Sequence, residues 1–187
     1  MTFVPPTWYE GMLIWASYLI IPIIIGIAAL FYTWFLKEKH EAIGLIICII
    51  CIAFAICGSS ILWYAQYEVP SVQEKIITVD DWQPTFGHYW GDVKRADDLM
   101  LKTVDGELYS NEESFLFQKF NTRDVLDQLK PNGTYIIKTS GWREGFNDGV
   151  PNILSVEKVM DESNCPKHHD ISDYMNKRSI VYDDNWM

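Results

Sequence analysis

The chain has 187 residues, a formal net charge of −10 and a hydrophobic content of 49%. That length holds two apolar segments, one small domain of about 95 residues and a tail, near the low end of domain sizes. The acidic balance sets nucleic-acid phosphates and anionic lipid headgroups aside as partners, because both carry charge of the same sign.

Residues 1–10 form an N-terminal segment without Lys or Arg, and no Ala-x-Ala site follows a short apolar core. The first helix is therefore expected to stay as an uncleaved anchor rather than a signal peptide. Residues 11–36 and 43–65 contain no charged side chain. Each exceeds the ~20 residues that cross a hydrocarbon core at ~1.5 Å rise per residue. Neither shows the polar face of a soluble amphipathic helix. Between them, residues 37–42 (KEKHEA) suffice only for a turn. The expectation is a two-helix transmembrane hairpin. Trp8, Tyr9 and Trp15 at one end of the first span, and Phe31, Tyr32, Trp34 and Phe35 at the other, fit interfacial anchoring. Trp63, Tyr64 and Tyr67 close the second.

Small residues recur at helical spacing on both spans: Gly26 and Ala29 on the first, and Gly44, Cys48, Cys51, Ala55 and Gly58 on the second. Such stripes let helix backbones approach closely in lipid. Cys48 and Cys51 are read as members of that stripe, since a redox Cys-x-x-Cys needs an electropositive thiolate at a helix start. Neither span carries an ionisable residue, which argues against a channel or transporter built from this hairpin alone. Lys37 and Lys39 in the connector, against a lone early Lys75 after the second span, put residues 37–42 in the cytoplasm and both termini outside.

Residues 66–74 read as a linker, 75–160 as a folded domain and 161–187 as an acidic tail. After Ala65 there are 22 Asp and Glu against 13 Lys and Arg, yet aromatic residues are spread throughout, so the domain is expected to fold. Only Cys165 lies outside the spans, so no disulfide framework is available. Residues 75–79 (KIITV) predict a strand and 80–92 a long loop. Asp105-Gly106 between two alternating runs predicts a type I′ hairpin turn. Residues 115–120 (FLFQKF) are short and apolar. Asn121 or Thr122 caps a brief helix containing Val125, Leu126 and Leu129. Pro131-Asn132-Gly133 turns the chain, and residues 134–139 and 153–159 predict two more strands. Five short strands and one short helix point to a small barrel of the OB or SH3-like kind. The fold class expected is thus an α+β membrane protein, a transmembrane hairpin followed by a small β-rich domain.

The order Val93-Lys94-Arg95, Ser110-Asn111-Glu112-Glu113, Phe117-Gln118-Lys119-Phe120-Asn121, Gly141-Trp142-Arg143 and Pro151-Asn152-Ile153 resembles a bacterial membrane-anchored family of unknown function. The resemblance covers residues 93–159, and its most specific piece is the Gly-Trp-Arg, then Phe, then Pro-Asn block. It implies a tethered extracytoplasmic β-rich domain and no particular chemistry. The chain departs from that family in its two-helix anchor and its acidic tail.

Two clusters are candidates for function. Trp142, Arg143, Phe146, Asn147 and Asp148 lie in one glycine-rich loop, with Trp142 as a platform and Arg143 able to take a carboxylate bidentately. The structural alternative is that Trp142 caps the domain and Arg143 pairs with a nearby acid. Cys165, His168, His169 and Asp170 concentrate metal-capable side chains, but no second Cys/His pair completes a site. No nucleophile elbow, zincin, P-loop or dinucleotide motif occurs. The expectation is a two-pass cell-membrane protein with an extracytoplasmic interaction domain. It would act as an accessory subunit or envelope component in a hetero- or homo-oligomer, without catalysis, cofactor or nucleic acid. The alternative is a membrane-tethered metal-dependent enzyme or metal-binding domain centred on Cys165, His168, His169 and Asp170.

Overall fold

The computed structural model describes residues 3–35, 41–143 and 149–175. The chain divides into two compact units, with the break after Pro70.

The first unit holds α1 (Trp8–Phe35) and α2 (Glu41–Trp63), which pack on each other. The start of α1 follows from Thr-x-x-Glu: the Glu10 carboxylate accepts from the Thr7 N–H at 2.9 Å and the Thr7 hydroxyl at 2.6 Å, half of a capping box. Pro22 lies within α1. Two windows, Tyr9–Tyr32 and Leu45–Glu68, are long and apolar enough to cross a membrane. Leu13, Ile24, Phe31, Trp34, Phe54 and Ile56 are all more than half exposed, so the unit turns hydrocarbon outward. Its serine hydroxyls bond to carbonyls of their own helices. Ser17 donates to the Ile14 carbonyl at 2.6 Å, and Ser59 and Ser60 donate to the Ile56 carbonyl at 3.0 and 2.9 Å. Tyr18 bonds to Gln66. A π-helical turn, Tyr64–Glu68, ends the apolar run.

The second unit contains five strands among the described residues: β1 (Gln73–Pro84), β2 (Leu99–Thr103), β3 (Leu108–Ser110), β4 (Thr134–Ser140) and β5 (Asn152–Asp161). The order is β1-β2-β3-β5-β4, and β4 pairs back onto β1, so the sheet closes on itself. All neighbours are antiparallel except β3 and β5, which meet in parallel at Ser110 and Asn152. Between β3 and β4 lies α3 (Thr122–Gln128), and α4 (Ile171–Met175) follows β5. Ile77, Val79, Trp82, Leu99, Leu101, Tyr109, Tyr135, Ile137 and Ile153 point inward from the strands to meet Val125, Leu126 and Leu129 of the α3 segment.

Several expectations need correction. β1 does not stop at Val79. A bulge between Val79 and Asp81 re-aims the strand, and Trp82, expected in a loop, is fully buried with Nε1–H donating to the Leu129 carbonyl at 2.9 Å. The Asp105-Gly106 turn is not type I′, because only Gly106 has positive φ (82°) there. The Gly106 N–H donates to Thr103 O and the Thr103 N–H to Glu107 O, both at 2.9 Å, which is a three-residue loop with a glycine bulge. Asn121 sits at the N-cap of α3 but makes no side-chain cap. Within the acidic tail, α4 buries Ile171 and Tyr174 in the core, and Tyr174 stacks on Trp90 with centroids 5.8 Å apart.

Candidate functional site

Three segments build a cleft of about 180 Å³: Gln73 and Lys75 from β1, Glu107, Leu108 and Tyr109 at β3, and Trp142, Arg143 and Pro151 from the connection between β4 and β5. Gly141, at φ 81°, turns the chain out of β4, and its N–H donates to Ser71 Oγ at 2.7 Å. That turn delivers Trp142 and Arg143 to the rim. Inside, the Glu107 carboxylate accepts from the Tyr109 hydroxyl and from Lys75 Nζ at 3.4 Å. Lys75 Nζ also lies 5.5 Å from the Tyr109 ring centroid, within cation–π range. The Tyr109 hydrogen bond, followed by the Lys75 charge, holds the Glu107 carboxyl below its ordinary pKa. Burial, then Glu107, pushes the Tyr109 phenol up, so it stays a donor.

The charges of Lys75 and Glu107 offset each other. Arg143 is exposed and forms no ion pair among the described residues. Among the described residues the cleft therefore holds one cation without an ion pair, Arg143, beside the Trp142 and Tyr109 rings that also line it. This arrangement suits an acidic group on an occupant that also brings apolar surface.

Of the expected loop residues, Trp142 and Arg143 stand at this cleft, while Phe146, Asn147 and Asp148 lie outside the described residues. Lys75, Glu107 and Tyr109 were not anticipated. Their proximity depends on ring closure of the sheet, which no local pattern announces.

Of the four residues read as metal-capable, His168 is exposed and the other three have separate partners. His169 Nε2 lies 2.9 Å from the Leu126 carbonyl, which can only accept, so Nε2 carries the proton. Nδ1 then accepts from the Tyr174 hydroxyl at 3.2 Å. Burial lowers the His169 pKa. Asp170 bonds to Ser172 and lies 3.6 Å from Arg123, and Cys165 Sγ is 4.0 Å from the Tyr135 hydroxyl. Among the described residues no three His, Cys, Asp or Glu side chains group as metal ligands.

On the hairpin, a Cβ added at Gly26 would touch Cys51 Cβ at 3.5 Å and Cys48 Sγ at 3.9 Å, so these members of the stripes lie at the α1–α2 contact. Ala55 is buried, whereas a Cβ at Gly58 would meet only Phe54 of its own helix. Ala29 and Gly44 lie on α1 and α2.

A second polar group closes the sheet. The Asn152 side-chain amide pairs reciprocally with the Glu112 backbone, N–H to Oδ1 and Nδ2 to O, both at 3.0 Å. Lys119, only 4% exposed, donates to Asn111 Oδ1 at 2.9 Å and Asn152 Oδ1 at 3.2 Å. Asn111 Nδ2 in turn donates to Thr122 O at 2.8 Å. Side-chain amides thus extend a β3–β5 seam that has a single backbone bridge. The Pro151-Asn152 pair singled out in the sequence does structural work here, since the Ser110 N–H also donates to Pro151 O at 2.9 Å. No family model, no curated protein and no solved structure matches this chain.

Proposed function

We propose that this chain is a two-pass integral membrane protein that displays an OB-type β barrel at the membrane surface and binds a protein partner there. The apolar outer surface of α1 and α2 supports the membrane part, since side chains such as Phe54 and Trp34 would face water at a cost of about 1.5–3 kcal/mol each outside lipid. The ring order β1-β2-β3-β5-β4, with α3 between β3 and β4, supports the barrel type. Such barrels use the faces of strands 2 and 3 and the connections between strands 1–2 and 4–5 for binding. The lysines at 37 and 39 support an extracytoplasmic domain. Membership of the membrane-anchored family that the Gly-Trp-Arg and Pro-Asn block resembles belongs to the same proposal.

The cleft carries the binding reading. Its Trp142, Tyr109 and Arg143 are the residue types that dominate interface energetics, and exposed Arg143, which has no ion pair among the described residues, would select an acidic segment of the partner. The role is that of an accessory subunit or envelope component. A photoreactive side chain in place of exposed Gln73, in the full chain in its native membranes, is expected to give a discrete protein adduct. Arg143→Glu should abolish that adduct. No adduct, or one indifferent to both Arg143→Glu and Lys75→Glu, would overturn the proposal.

A further inference from the structure

In an extended strand the N–H and C=O of one residue point to the same edge, and those of its neighbours to the other. On β1, Val79 faces β4: its N–H donates to Gly133 O and its carbonyl accepts from the Asn132 N–H, both at 2.9 Å. Ile77, Lys75 and Gln73 face the same way by alternation, opposite Tyr135, Ile137 and Thr139. Thr78 faces the other edge, where its carbonyl accepts from the Val104 N–H at 3.0 Å. Pairing with β2 stops there, because β2 ends at Thr103 and the chain turns back at Gly106.

Ile76 and Glu74 come next along that outer edge. Their two N–H and two C=O groups have no strand beside them among the described residues. Both residues are exposed, Ile76 to 67%. The open edge adjoins the cleft, since Gln73 and Lys75, whose side chains lie on the opposite face of β1 from those of Glu74 and Ile76, line it.

We propose that an extended segment of a partner protein, centred on an acidic residue, adds to this edge as a strand antiparallel to β1; this rests on the binding reading of the cleft above. The residues opposite Ile76 and Glu74 exchange both main-chain bonds with them. The residue between, opposite Lys75, turns its side chain to the cleft face. Lys75 is already engaged by Glu107, whereas Arg143 has no ion pair among the described residues, so a carboxylate finds its match there. On the outer face, Ile76 favours a β-branched neighbour and Glu74 a basic one. The order along the added strand is therefore apolar, acidic, basic.

The test uses the full chain in its native membranes with the photoreactive side chain at residue 73. The probe is the end-blocked peptide Thr-Val-Glu-Lys-Thr in millimolar excess, which should suppress the partner adduct several-fold. N-methylation of its Val and Lys removes the N–H groups aimed at the Ile76 and Glu74 carbonyls and should abolish that suppression. N-methylation of its Glu, whose N–H points away from β1, should leave it intact. On the protein side, Ile76→Pro removes the outward N–H while Lys75 and Ile77 keep their bonds to β4, so the adduct should fall several-fold. Ile76→Thr, which keeps the N–H, should retain it. No suppression by the peptide, or suppression indifferent to which N–H is methylated, would overturn the inference. So would an adduct to a second copy of this chain or to residues 176–187 of the same chain, since either means a different occupant. An adduct abolished by Arg143→Glu yet unmoved by the peptide and by Ile76→Pro loses only this inference. No adduct at all loses the binding reading with it.

Discussion

Lys119 and His169 are buried groups whose pKa values move in the same direction. Burial lowers the Lys119 ammonium from 10.5 to about 8, against a smaller upward pull from Glu112, Asp97 and Glu113. Burial likewise lowers His169 below 6.5, against its bond to Leu126 O and the charges of Asp173 and Asp127, with Lys130 adding to the lowering. In both cases the unfolded chain binds the proton more tightly, so stability rises with pH across the interval between folded and unfolded values. The urea midpoint of the sheet domain should therefore climb between pH 8 and 10.5, and Lys119→Met should flatten that climb. It should also fall as pH drops below 6.5, and His169→Gln should blunt that fall. A flat profile through both windows would contradict the burial of these groups. Gly133 makes a separate residue-level case. A Cβ there would lie 2.4 Å from the Tyr135 oxygen and 2.6 Å from two ring carbons. Tyr135 cannot yield, because its hydroxyl accepts from the Lys130 N–H at 3.0 Å and donates to Glu162 at 2.9 Å. Gly133→Ala should cost about 1–3 kcal/mol by urea denaturation, the usual range for overpacking. The sequence marks Gly133 as a turn residue, but the crowding is set by Tyr135 lying under it.

The weakest join in the sheet is the β3–β5 seam, with one backbone bridge and a set of amide side chains around it. Asn152→Leu removes both bonds to the Glu112 backbone and leaves Lys119 with Asn111 alone. The expected loss is about 1–2 kcal/mol, since the Glu112 backbone groups are exposed and return to water while buried Lys119 loses one of its two acceptors. Amide hydrogen exchange should rise first at Ser110 and Glu112, while the β1–β4 ladder, six pairs long, keeps its protection. Uniform loss of protection would show that the seam and the ladder open together. Element boundaries were legible in proportion to how local their causes were. The strand at 134–139, the short helix and the two apolar helices follow from residue type and period alone. The far half of β1 does not, because Pro84 and Gly87 mark a turn while the alternation that buries Trp82 is interrupted by the bulge. α4 spans only five residues, and only the core it enters explains why Ile171 and Tyr174 matter. Half of the candidate loop, Trp142 and Arg143, was visible as composition. The other half of the cleft, Lys75, Glu107 and Tyr109, comes from strands far apart in sequence.

For the whole molecule, the placement of the sheet domain relative to the membrane is the testable quantity. A membrane-impermeant maleimide applied to intact cells should label Cys165, the only cysteine outside the apolar helices, under the proposed topology. Labelling only after lysis would reverse the topology and direct the search for partners of the acidic domain to the cytoplasm. The Ser71–Gly141 hydrogen bond has a mechanical consequence as well. The chain enters the sheet domain at Ser71, and the strand bearing the Trp142–Arg143 rim leaves the sheet at Gly141, so the two points of attachment are neighbours on an antiparallel pair. Tension between an anchored α2 and an occupant held at the rim would load these rungs one after another, from Gln73 and Thr139 onward. A ladder loaded in that direction peels at low force, whereas one loaded along its strands must break many rungs together. Pulled between Ser71 and Gly141, the β1–β4 ladder would unzip rung by rung rather than shear.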